Sequence, residues 1–115
     1  MKPRYLLNFP LASILINNEE IEAIVDTGFN GSLMISEEDI EKFNFPKLGT
    51  TPYMMADGSF SKGTIYLGEI TWLNQKIKVP IIVSESDFPL IGMDLLKYAK
   101  TLLIPSQNVL SIEAA

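Results

Sequence analysis

Asn17-Asn18, Asp57-Gly58 and Ser106-Gln107-Asn108 each stand between two runs rich in Ile, Leu, Val and Tyr. Asn and Gly tolerate positive φ, which tight hairpin turns require. "LASILI" and "EIEAIVD", "TPYMMA" and "FSKGTIYLGEITW", and "TLLIP" and "VLSIE" therefore read as three β-hairpins. In "KIKVPIIV", Ile77, Val79, Ile81 and Val83 share one face at period two. Pro80 falls on the opposite face and predicts an edge or a bulge. A chain partitioned this way has little length left for helix.

Two short helices are predicted in what remains. Ser36 is a good N-cap for "EEDIEKF", with acids in the first turn and Asp39 three residues on. Ile40 and Phe43 would face the core, and Pro46 would stop the run. "GMDLLKYAK" is the second, with Leu95, Leu96 and Ala99 on one face. The expected fold is all-β: a small closed β-barrel with one or two short helices, in a single domain over residues 1–115.

Composition removes several function classes. With 47% hydrophobic residues the chain can form a core. It contains no cysteine and no histidine. Disulfides, Cys/His zinc sites and Ser-His or Cys-His catalysis are thereby excluded within one chain. Net charge is −5 and the basic residues are scattered, which argues against nucleic acid as a partner. Lys2 and Arg4 before "YLLNFPLASILI" loosely imitate a signal peptide, but Asn8, Pro10 and Ser13 interrupt the run. A pair of strands explains that segment better. No run approaches the roughly 18 apolar residues of a membrane helix. A soluble, cytoplasmic protein with no membrane partner is expected.

One residue resists a purely structural reading. Ile24 and Val25 suit a buried strand, yet Asp26 follows them directly, with Thr27 and Gly28 next. An unpaired buried carboxylate costs on the order of 3–5 kcal/mol. Asp-Thr-Gly is also ordinary turn chemistry, so Asp26 could simply cap a turn. Alternatively it is a catalytic acid. Peptide hydrolysis by aspartates needs two carboxylates sharing one proton, one acting as base and one as acid. A two-fold axis beside Asp26 would bring the second from an identical chain.

The order "VDTG", an Asp57-Gly58 hairpin tip and "PLIGMDLL" opening a helix resembles the retropepsin-like aspartic proteases, from about Ile21 to Ile112. The resemblance is strongest to short bacterial and archaeal members with "DTGF" at the catalytic loop. It implies a homodimer that cleaves peptide or protein substrates, with no cofactor and no metal. Asp26 would be catalytic, Thr27 would bond across the two-fold, and Gly28 would admit a substrate backbone. Met54, Met55, Ala56, Asp57, Gly58, Ser59 and Phe60 would form a flap over the substrate, with Phe29 and Asn30 also in the binding cleft. Leu90, Ile91, Gly92 and Asp94 would support the catalytic loop.

Three departures from the retroviral pattern bear on the site. Phe29 stands where that pattern has alanine, and it would either crowd the cleft or turn outward to shape a pocket. Asn30 stands for an aspartate, and Met93 for the arginine that pairs with it. Acid and base are missing together, so no charge is stranded. The terminal segments "MKPRYLL" and "VLSIEAA" are the third, since neither clearly matches the interleaved strands of retroviral dimers. A dimeric barrel that binds peptides in the same cleft without cutting them would keep the fold and tolerate Phe29. A metal site built on paired aspartates would have few ligands and no histidine to help.

Overall fold

The computed structural model describes residues 3–54, 57–84 and 88–115. The chain runs β1 (Arg4–Leu6), β2 (Phe9–Ile16), β3 (Glu19–Val25), β4 (Leu33–Ser36), α1 (Glu37–Glu41), β5 (Lys47–Met54) and β6 (Phe60–Trp72). It continues as β7 (Gln75–Ser84), β8 (Leu90–Ile91), α2 (Met93–Leu96), β9 (Ala99–Ile104) and β10 (Val109–Ala114). The protein is all-β with two short helices, as the turn pattern predicts.

Eight strands form one sheet in the order β1-β2-β3-β8-β4-β7-β6-β5. A further pairing of Leu15 with Thr71 joins β2 to β6, so the sheet closes on itself as a ring. β9 and β10 form a separate hairpin, turning through Pro105–Gln107 with Asn108 left-handed at φ 54. Tyr5 donates its hydroxyl to the Val109 carbonyl at 2.7 Å, which ties the first strand to the last.

Local chemistry explains the connections. Asn17 and Asn18 have φ 51 and 66, the two positive values of a type I′ turn. Leu7-Asn8 and Leu73-Asn74 adopt the same turn, which their leucines conceal in the sequence. The Ser36 hydroxyl accepts from the Asp39 amide at 3.2 Å and caps α1 as expected. That helix ends before Pro46, since Asn44 is left-handed at φ 58. α2 is a single turn, and Ala99 belongs to β9 opposite Ala114 instead of continuing a helical face. Gly92, its N-cap, offers no side-chain cap.

Pro80 lies within β7, opposite Leu67 of β6. Leu67 donates to the Pro46 carbonyl on its other side, so the Leu67–Pro80 pair needs no ladder bond from the proline. Pairing of β7 with β4 begins only at Ile81. The missing N–H thus costs nothing in a strand that is otherwise central.

The main core lies inside the ring: Ile14, Ile16, Val25, Leu33, Ile35, Ile70, Trp72, Val79, Ile81 and Ile91 are all buried there. A second, smaller cluster of Phe29, Met34 and Ile82 packs apart from it. β7 therefore buries both faces at Ile81 and Ile82. This second cluster sits directly under the loop that follows Asp26.

Candidate active site

β3 delivers Asp26 to the end of the ring, and β8 holds it there. β8 runs between β3 and β4, parallel to the first and antiparallel to the second. The Ile24 amide donates to Pro89 O at 2.8 Å and the Asp26 amide to Ile91 O at 2.9 Å. The chain then turns. Phe29 N–H donates to the Asp26 carbonyl at 3.2 Å, and Gly28 N–H donates to Asp26 Oδ1 at 2.9 Å. Asp26 is half-buried and has a backbone donor on one carboxylate oxygen, so its partial burial is compensated.

The returning loop is fastened to α2. Gly92 N–H donates to Ser32 O at 2.9 Å, Met93 N–H to Phe29 O at 2.8 Å and Asp94 N–H to Gly31 O at 3.0 Å. Ser32, nearly fully buried, donates its hydroxyl to Asp94 Oδ2 at 2.6 Å. Lys97 reaches the other Asp94 oxygen at 2.8 Å. The Lys97 ammonium, and then the Ser32 hydroxyl, hold the Asp94 carboxyl below the usual aspartate range.

That arrangement has a measurable consequence. Asp94→Ala leaves the buried Ser32 hydroxyl without its acceptor, a loss of roughly 1–3 kcal/mol. A depressed carboxylate stabilises the fold above its unfolded pKa, and the stabilisation disappears as pH falls through the folded value. The gap in urea midpoint between parent and Asp94→Ala is therefore open at neutral pH and narrows in acid. An equal gap at both pH values contradicts this role for Asp94.

The expected site residues fall into three groups. Asp26, Thr27, Gly28 and Asn30 lie in the loop after β3, with Asp26 and Gly28 half-buried and Thr27 and Asn30 exposed. Leu90, Ile91, Gly92 and Asp94 lie against the loop through the bonds just described. Met54, Asp57, Gly58, Ser59 and Phe60 belong to the β5–β6 hairpin, where Met54 pairs with Phe60. Met55 and Ala56 lie outside the described residues. At the hairpin tip Gly58 has φ 85, and Asp57 Oδ1 accepts from the Ser59 hydroxyl at 2.6 Å and its amide at 2.9 Å. Those two bonds, hydroxyl first, lower the Asp57 pKa.

Phe29 does neither thing expected of it. Its ring turns inward and is fully buried against Met34 and Ile82, edge-on to Tyr53 with centroids 6.2 Å apart. It presents no surface to a ligand in the single chain. Asn30 and Met93 are both exposed, so the site carries no stranded charge where the retroviral acid and base are absent. A hollow of about 250 Å³ opens beside Asn30, bounded by Ser32, Thr51, Tyr53, Pro80 and Ile82. Ser32 and Tyr53 are site-building residues that sequence reasoning missed. Ser32 bonds across 62 residues, and no local pattern signals that.

Among the described residues, no three His, Cys, Asp or Glu side chains come together to hold a metal ion. No helix among them is long and apolar enough to cross a membrane.

Comparison with known proteins agrees with this geometry. Residues 12–98 match the model of the family described as "gag-polyprotein putative aspartyl protease". A retropepsin-like aspartic protease from Rickettsia conorii superposes with a TM-score of 0.68 at 22% identity, covering 98% of this chain and 89% of that one. EIAV protease, complexed with the inhibitor HBY-793, gives a TM-score of 0.65 at 20% identity, covering 81% and 90%. The foamy viral protease-reverse transcriptase in complex with an RNA/DNA hybrid gives 0.63 at 15% identity over 82% of this chain. This chain spans only 12% of that protein's length. No curated protein sequence matches. With the Asp26-Thr27-Gly28 loop held by a strand threaded from the C-terminal half, and most of its length inside the family match, the chain has the retropepsin-like fold and belongs to the gag-polyprotein aspartyl protease family.

Proposed function

We propose that two copies of the chain build one endopeptidase site, each contributing Asp26. The observation that carries this reading is the half-buried Asp26 carboxylate in a stapled Asp-Thr-Gly loop, with one such loop per chain. Two carboxylates brought together cannot both ionise easily, so the pair retains one proton. The ionised member takes a proton from a water molecule as its oxygen attacks the peptide carbonyl. The protonated member gives its proton to the carbonyl oxygen. Collapse of the resulting diol returns that oxygen's proton to a carboxylate, delivers a proton to nitrogen and breaks the C–N bond.

The remaining site residues take supporting parts in this reading. Thr27, exposed in the single chain, bonds to the partner across the two-fold. Gly28 leaves room for the substrate backbone. The β5–β6 hairpin closes over the peptide, with Asn30 in the cleft. Leu6, Leu7 and Phe9 surround an apolar hollow that also includes Ile24, two residues before Asp26. Leu7 is 85% exposed at its hairpin tip. A second copy seated beside Asp26 would cover such a surface.

The test is digestion of a diverse peptide library across protein concentration and pH. Cleavage should occur where the pair holds one proton and cease as alkali removes it. Specific activity should fall on dilution with the dimer fraction. Undiminished specific activity in a demonstrably monomeric sample contradicts the shared site. A chain that binds peptides and cleaves none is the peptide-binding alternative.

A further inference from the structure

Phe29 sits three residues after Asp26, in the middle of the loop, yet none of its surface is exposed. Its ring occupies a space that two glycines leave open. A Cβ on Gly31 would meet the Phe29 ring at 2.5 and 2.8 Å, and a Cβ on Gly92 would meet the same ring at 2.5 Å. Neither glycine has a positive φ, so neither is required by backbone conformation. Both are required by the ring or by what lies beside it. A third glycine continues the pattern: a Cβ on Gly63 of β6 would meet Ile82 at 2.5 Å and the Tyr53 ring at 3.2 Å. Tyr53 in turn stands edge-on to Phe29, at 82° between planes.

We infer that Phe29 is a positioning residue, locking the loop that carries Asp26 onto the base of the β5–β6 hairpin through Tyr53. The inference rests on the endopeptidase reading for its kinetic consequence but not for its mechanical one. The same buried ring touches the loop (Gly31), the helix start (Gly92), β7 (Ile82) and, through Tyr53, the strand leading to the hairpin tip. A displacement of the hairpin is thus transmitted to the loop through packed atoms that cannot be compressed. A buried aromatic pair with glycines cleared around it is a rigid joint, and loop placement to within an ångström is worth up to about a hundredfold in rate.

A two-way substitution cycle tests the joint without any assay of cleavage. Gly31→Ala should lower Tm by about 5 °C or more in the parent, where its methyl group strikes the ring. In a Phe29→Ala background the same change should cost far less, because the space is vacant. Gly92→Ala meets backbone as well as ring, so Phe29→Ala should not rescue it. Amide exchange at the β5 and β6 ends flanking the tip should quicken in Phe29→Ala, and to a lesser degree in Phe29→Leu. Phe29→Leu keeps the test open if the smaller residue unfolds the chain. On peptides, both variants should lose roughly 10–100-fold in kcat per folded dimer, with KM changed little.

Additive Tm losses, or unaltered exchange in the hairpin, overturn the joint. Unchanged kcat in a folded Phe29 variant of an active parent overturns the positioning role. If the parent cleaves nothing, the endopeptidase reading fails, and the Tm cycle and exchange still decide the joint.

Discussion

On the proposed reading, Asp26→Asn should abolish peptide cleavage, by up to roughly ten-thousand-fold, and leave a folded protein. The amide keeps the shape of the carboxyl, and its oxygen still accepts from Gly28 N–H, so the turn of the loop is retained. What disappears is the ability to hold and release a proton. In the proposed dimer the substitution also removes the cost of holding two carboxyl groups, at least one of them charged, side by side, so at neutral pH the variant melts at the parent's temperature or higher. The turn-cap alternative gives a different signature. An amide oxygen accepts backbone donors about as well as a carboxylate does, so in that case the melting temperature does not rise and there is no activity to lose. Mass spectrometry of digests and melting curves at equal chain concentration, for both proteins, separate the two.

Gly92→Ala produces the largest loss of stability expected from a single methyl group in this protein. Gly92 has φ −105 and ψ −177, an extended conformation open to any residue. The obstacle is space: a Cβ there runs into the Gly31 carbonyl oxygen, and lies 2.7 Å from the Phe29 carbonyl oxygen. Both are backbone atoms, and both accept the hydrogen bonds that fasten the loop to α2. Relief therefore requires separating the loop from the helix, which sacrifices several of those bonds at about 0.5–1.5 kcal/mol each. Overpacking adds about 1–3 kcal/mol. A total of ~3 kcal/mol or more is a large part of the stability of a domain this size. Urea denaturation should show it directly, and a change below ~0.5 kcal/mol would contradict the account of this close approach.

Much of this was legible in the sequence because it rests on local chemistry. Asn17-Asn18, Asp57-Gly58, and Ser36 with Asp39 each announce a turn or a cap through their own side chains and φ preferences. Leu7-Asn8 and Leu73-Asn74 escaped because leucine is a poor turn residue. Leu73 is compensated by packing against the core. The length of α2 escaped because its helical pattern competes with long-range pairing of Ala99 to Ala114, which wins. The Asp26 loop was located by its motif and its distance from "LIGMDLL". The orientation of Phe29 was not legible. It depends on Gly31, Gly92 and Tyr53 meeting from three parts of the chain, and period and propensity carry no information about such a meeting.

The central claim, one site shared by two chains, has a direct test in subunit mixing. Parent and Asp26→Asn chains are combined at constant total concentration, dissociated by dilution, reassociated, and assayed for peptide cleavage. If each site needs an Asp26 from both copies, mixed dimers are inactive and activity follows the square of the parent fraction. An equal mixture then retains about a quarter of the activity of pure parent. Activity in direct proportion to the parent fraction, about half in that mixture, would mean that each chain works alone and would contradict the shared dyad.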